Sequence, residues 1–124
     1  MRLQSSQHVG PWFLEKVYEN ALRIELEKQG LSVRQQHPIS VTYDDHVVGE
    51  YYADLFVEQR VVVEMKSVQT LVKEHEVQIV NYLTATGIDL GLLINFGSSV
   101  QVKRKFRQYK SKAPLLSSIM SRSV

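Results

Sequence analysis

Asp54 and the triplet Glu64-Met65-Lys66 are the residues of this chain whose types and spacing can do chemistry. The two acids lie ten residues apart, each in an apolar run that reads as a strand. Two carboxylates and an ammonium gathered at one point can hold a divalent cation and activate a water against a phosphodiester. A three-residue loop at Glu58-Gln59-Arg60 would face Val57 with Val61 and put Asp54 directly opposite Glu64. Directly opposed residues share a sheet face with Cβ atoms about 5 Å apart. Lys66, two residues beyond Glu64, projects from that face too. A two-residue turn would shift this register by one and separate the acids. Adjacent carboxylates repel unless a cation joins them or one holds a proton. Mg2+ is the expected cation, with Mn2+ as a substitute, because it uses few protein carboxylates and keeps several waters. The Met65 carbonyl is a further candidate ligand. The bland alternative is a surface ion pair of Lys66 with Asp54 or Glu64, worth about 0–1 kcal/mol.

The elements around these residues supply more candidates. Residues 11–29 read as a helix, with Pro11 suited to its first turn and Gly30 to its stop. Leu14, Val17, Tyr18, Ala21, Leu22 and Leu26 form its apolar stripe. Glu15, Tyr18 and Glu19 form a second stripe at i, i+3 and i+4, so Glu15 can reach the cation from above the sheet. Residues 72–86 read as a second helix, stopped by Gly87, with His75, Gln78, Ile79 and Tyr82 on one stripe. Gln78 and Tyr82 can put an amide and a phenol over the same pocket. Tyr18 and Tyr82 also read as core aromatics with a wet hydroxyl, and His75 as a structural residue.

The strands complete the pattern. Leu31–Tyr43 is extended, with Pro38 restricting it to an edge or an irregular stretch. Asp44-Asp45-His46 is a turn; Val47–Val57 and Arg60–Ser67 are strands, the second buried on both faces through Val61-Val62-Val63. Leu90–Asn95 is a short buried strand, and Val100–Lys110 is either a basic helix or a strand extension. This order predicts an α/β sandwich around a mixed sheet. One domain over 1–112 is expected, followed by a flexible Ser-rich tail over 113–124.

Bulk properties bound the rest. The 124 residues are 44% hydrophobic and 23% charged, an ordinary soluble composition able to bury a core without staples. The absence of cysteine excludes a disulfide framework, a thiolate zinc site and a cysteine nucleophile, and fits the expected cytoplasmic location. The N-terminus lacks the apolar stretch of a secretory signal, and no apolar run approaches the roughly 18–20 residues of a membrane helix. Charge is unevenly spread. All thirteen acids lie at or before Asp89, while Lys103, Arg104, Lys105, Arg107, Lys110, Lys112 and Arg122 follow it. An acidic body with a basic C-terminal segment suits a cation-binding cleft beside a polyanion-binding edge, or simply a solvated tail.

Five segments in order resemble the GxxExxY proteins, a family within the PD-(D/E)XK nuclease superfamily. They run from Gly10 to Tyr18 (GPWFLEKVY), Tyr52 to Leu55 (YADL), Val63 to Lys66 (VEMK), His75 to Tyr82 (HEVQIVNY) and Gly91 to Gly97 (GLLINFG). The resemblance covers roughly residues 9–107. It implies a restriction-endonuclease-like αβββαβ core and a nuclease acting on phosphodiesters, in DNA first of all. By this resemblance Asp54 matches the superfamily's metal-binding aspartate, Glu64 and Lys66 its E-x-K, Glu15 the first-helix glutamate, and Gln78 and Tyr82 a Q-xxx-Y motif. Lys103, Arg104, Lys105 and Arg107 are expected to track the phosphate backbone, with a homodimer or larger complex as possible context.

The chain also departs from that pattern. Trp12 stands where the motif has its first glycine, Ala53 stands for the superfamily's proline, and only about nine residues precede Gly10 where the family carries a further helix. A shortened copy or a displaced start is the expectation there. The alternative function is a non-catalytic nucleic-acid- or protein-binding module on the nuclease scaffold.

Overall fold

The structure, a computed structural model, describes residues 11–108, with the side chains of Pro11 and Trp12 outside the description. The expected tail, Lys110, Lys112, Arg122, the segment before Pro11 and any effect of the Trp12 ring lie outside the described residues. Helix α1 spans Pro11–Lys28 and helix α2 Lys73–Thr86. The strands are β1 (Val33–Tyr43), β2 (His46–Val57), β3 (Val61–Lys66), β4 (Leu90–Phe96) and β5 (Val100–Phe106). They form one sheet in the order β1-β2-β3-β4-β5, in which only β3 and β4 are parallel. A parallel pair needs a crossover, and α2 provides it. Of the two readings left open after Val100, the described residues show a strand, Val100–Phe106, antiparallel to β4.

Local chemistry explains the boundaries. Helix α1 ends in a Schellman turn: Leu31 N–H donates to Leu26 O at 3.2 Å and Gly30 N–H to Glu27 O at 2.9 Å. Gly30 takes the left-handed backbone this turn requires, at φ 84°. Leu26 and Leu31 then pack into the same core cluster. The β1–β2 hairpin closes through Asp44 and Asp45, both left-handed, as a type I′ turn demands. Pro38 is tolerated because β1 is an edge strand.

The two helices cover opposite faces of the sheet. On the α1 side, Leu55, Val57, Val63, Met65 and Ile94 pack with Tyr18, Leu22 and Leu26. On the α2 side, Tyr51, Ala53, Val62 and Leu93 pack with Ile79 and Leu83. Each fully buried aliphatic side chain contributes about 1.5–3 kcal/mol. Strand β3 is buried on both sides, as its valine run predicts.

Membership of these two layers reveals a break in alternation. Ala53 and Leu55 are two apart and would share a face in a regular strand, yet they belong to opposite layers. Val33 and Ile39 of β1 divide in the same way. Both strands therefore exchange faces at one level, which is the level of Gln36 and Asp54. Gln36 is left-handed there, at φ 48°, and the ladder passes from Gln35↔Leu55 to His37↔Ala53 without pairing the residues between.

Candidate active site

The β2–β3 hairpin puts the acids together. Glu58 and Gln59 are both left-handed, and Arg60 N–H closes the loop on Val57 O at 3.0 Å. Val57 faces Val61 and the ladder runs to Leu55↔Val63, which is the three-residue-loop register. One step further the strands no longer pair, and the Asp54 side chain takes over. Its Oδ2 accepts the Met65 N–H at 2.8 Å and its Oδ1 accepts the Gln36 amide at 3.1 Å.

Asp54 and Glu64 lie one step beyond the last paired residues of this ladder, Leu55 and Val63. The two carboxylates have different side-chain partners. Gln36 links Asp54 to Glu19 of α1. Glu64 accepts the hydroxyl of Tyr51, a member of the α2-side core.

A cavity on the α2 side is lined by Tyr51, Glu64, Lys66, His75, Gln78 and Tyr82, with Ile79 and Leu93 at its floor. Gln78 Nε2 donates to the Tyr82 hydroxyl at 2.9 Å. The Tyr82 ring stacks on Tyr51 with centroids 3.8 Å apart. The helical spacing therefore does bring Gln78 and Tyr82 over the pocket that Glu64 and Lys66 line. His75 lines it as well, while its Nδ1 accepts the Val72 N–H at 3.2 Å and caps α2.

Burial sets the electrostatics. Glu64 is pushed up from the usual 4.5 to about 8, mainly by loss of solvent, with the Lys66 ammonium opposing. Asp54 is raised by burial, against the lowering effect of the Met65 N–H and the Gln36 amide. Glu15 is raised by burial too, and Lys66, the Ser67 backbone, Asp54 and His75 all act on it, which locates it at this site. One ammonium, from Lys66, favours the charged form of all three acids.

The end of β3 is anchored from β4. Asn95, 1% exposed, donates to Val68 O and accepts from Val68 N, both at 2.9 Å. Gly97 lies so close that a Cβ there would meet Val68 O at 2.6 Å. These contacts fix the chain just past Lys66.

Other residues fall elsewhere. Met65 has its side chain in the core and its N–H on Asp54. Tyr18 stacks on Phe96 at 3.9 Å, the core-aromatic reading. The basic residues of β5 do not form one stripe. Lys103 and Lys105 pair with Glu76 of α2, Arg107 pairs with Asp89, and Arg104 lies between Lys103 and Lys105 on the other face of the strand. Sequence reading missed Tyr51, Gln36 and the role of Glu19. The i+4 spacing of Glu15 and Glu19 carried a signal for the last, but a left-handed glutamine inside a strand leaves none.

A family model of the PD-(D/E)XK nuclease superfamily matches residues 2–108. The chain belongs to that superfamily. Its restriction-endonuclease-like fold is shared with two crystal structures at 13% identity and a TM-score of 0.61 each: the protein SSO0001 and an alkaline exonuclease from Laribacter hongkongensis. The superfamily member described here is covered over 90% and 93% of its length, and spans 60% and 66% of those two longer chains. No curated protein matches it.

PD-(D/E)XK nucleases generally use divalent metals. Among the described residues, no three His, Asp or Glu side chains are gathered closely enough to hold an ion. The donor chemistry nevertheless fits a hard cation, because Glu15, Asp54 and Glu64 are all carboxyls whose charge burial penalises. A carboxylate offers about four acceptor positions. Asp54 has hydrogen bonds on both oxygens, and Glu64 accepts from the Tyr51 hydroxyl and the Asp54 N–H, so each retains acceptor capacity.

Proposed function

We propose that this chain is a divalent-cation-dependent nuclease of the GxxExxY type that hydrolyses phosphodiester bonds in DNA. The observation that carries this reading is the cavity lined by Glu64 and Lys66, with Asp54 held beside it by the N–H of Met65, the residue between them. Asp54 and Glu64 would hold Mg2+ or Mn2+, with Glu15 assisting directly or through water and the Met65 carbonyl as a further donor. Bound there, the cation would supply Lewis-acid polarisation of the phosphoryl oxygen and a more acidic water.

The chain's own residues supply the remainder. Lys66 orients the attacking water and stabilises charge growing at the phosphorus. Gln78 and Tyr82, bonded to each other, hold the wall opposite Glu64. Lys103, Arg104, Lys105 and Arg107 contribute to polyanion attraction, tempered by the ion pairs that three of them make. A cytoplasmic location and a homodimer or larger complex belong to this proposal; no helix among the described residues is long and apolar enough to cross a membrane.

A second reading, a non-cleaving binding module on the same scaffold, is favoured by one observation: no three acids already close on a cation position among the described residues. Cleavage of labelled linear, circular and single-stranded DNA in Mn2+ separates the two. The nuclease reading expects activity that disappears with EDTA, in Glu64→Ala and in Lys66→Ala. DNA bound in a gel shift without cleavage in any cation would establish the binding module instead.

A further inference from the structure

The ladder between β1 and β2 has one unpaired level within its regular register, and it falls on Gln36 and Asp54. A left-handed backbone is disfavoured for any residue with a Cβ, and Gln36 adopts it within a strand, at φ 48°. The kink turns two consecutive side chains toward α1. Gln35 Nε2 donates to Glu19 at 2.6 Å and to Asn20 at 2.7 Å. Gln36 Nε2 donates to Glu19 Oε1 at 3.0 Å and to Asp54 Oδ1 at 3.1 Å. One amide nitrogen therefore bridges two carboxylates.

Glu19 is 3% exposed, and Lys16 Nζ lies 3.0 Å from its Oε2. It can thus act as a fixed post for the glutamine. Asp54 is bracketed between that glutamine on one oxygen and the Met65 N–H on the other. Two hydrogen bonds in fixed directions leave a carboxylate no rotational freedom and leave its other acceptor positions to a ligand. Groups that orient a metal-binding carboxylate in this way tune the affinity of the site.

We propose that Gln36 is a positioning residue for Asp54, anchored by the buried carboxylate of Glu19, and that the left-handed kink of β1 serves to deliver its amide. The inference rests on the reading above in which Asp54 binds a divalent cation, and it assigns residues outside the acid-acid-lysine set to that site.

The test is Mn2+ binding to the DNA-free protein by calorimetry, with thermal melts alongside. Gln36→Gly keeps the backbone angle without strain and removes the amide. Gln36→Asn also accepts a left-handed backbone but is one methylene too short to bridge; it is the second variant if glycine compromises folding. Either should fold cooperatively and bind Mn2+ about 10- to 100-fold more weakly than wild type. Glu19→Ala, which removes the acceptor, should lose a comparable factor, and the double variant no more than the larger single loss, because the two act in line. A merely structural glutamine would lower the melting temperature and leave cation affinity unchanged. Wild-type Mn2+ affinity in the folded Gln36 variants, with Asp54→Ala unable to bind, overturns this inference alone. Absence of Mn2+ binding in wild type, or full binding in Asp54→Ala, overturns the cation reading and this inference together.

Discussion

The Tyr51 hydroxyl donates to the Glu64 carboxyl while the Tyr51 ring lies flat on Tyr82. Gln78 in turn holds the Tyr82 hydroxyl. The amide and phenol of α2 therefore act on Glu64 through a third residue, Tyr51, which is 8% exposed. Tyr51→Phe keeps the stack and deletes the donor. Losing one such hydrogen bond should cost about 0.5–1.5 kcal/mol in chemical denaturation. DNA cleavage should fall about tenfold, the lower end for loss of an orienting partner. Unchanged kcat would show that Glu64 needs no orientation from this side.

Stability should depend on pH through Glu64. Its carboxyl is raised from 4.5 to about 8 in the folded chain, so the folded state binds a proton that the unfolded state has released in that window. Its contribution is fully present below about pH 4.5 and is lost as pH rises toward about 8. Asp54 and Glu15, also raised, act in the same direction. In EDTA the melting temperature should therefore fall from pH 5 to pH 8. Glu64→Gln should flatten most of that slope, and Mn2+ should restore stability at the alkaline end. A wild-type slope retained in Glu64→Gln would place the titration elsewhere.

Asn95 offers a test of how the end of β3 is held. It satisfies both backbone groups of Val68 from a fully buried position. Asn95→Leu matches its volume approximately and strands a donor and an acceptor, at about 1–3 kcal/mol each. The variant should melt earlier and lose cleavage even at temperatures where it is folded, because Lys66 sits two residues from the released clamp. Destabilisation with full residual activity would separate the clamp from the site.

The β5 cations should become stronger polyanion ligands once released. Lys105 and Lys103 pair with Glu76, whose carboxyl the Lys105 ammonium holds below its usual range. Glu76→Gln should tighten DNA binding at low salt and steepen its salt dependence by up to about two released counterions. Equal binding curves across salt would show that β5 does not face the nucleic acid.

Much of this was legible in the sequence because it rests on local rules. Pro11 and Gly30 bracket α1, the apolar run of β3 signals double burial, and of the two turn lengths the sequence left open, the three-residue loop gives the observed pairing of Val57 with Val61. The pocket formed by Gln78, Tyr82, Glu64 and Lys66 follows from helical and strand periodicity. What escaped depends on a broken rule. Alternation puts Ala53 and Leu55 on one face only while β2 keeps its phase, and it loses phase at Asp54 itself. Gln36 resembles any polar residue of an edge strand until its backbone angle is known. Likewise the basic run from Lys103 to Arg107 reads as one patch, whereas a strand distributes it over two faces, one of which already carries Glu76.

The shared exchange of faces has a bearing on how these strands can change length. Since β1 and β2 turn over together at Gln36 and Asp54, each half of the hairpin has its own correct phase. Removing one residue from β2 alone between Tyr51 and Val57 would rotate part of the strand out of its layer and send core side chains such as Tyr51 or Val57 toward water. Strand β1 would stay in phase and the two would no longer match. Only paired deletions, one in each strand on the same side of the kink, preserve both layers. The acid is thereby fixed at a phase boundary along the sheet, and neither strand can slide past it independently.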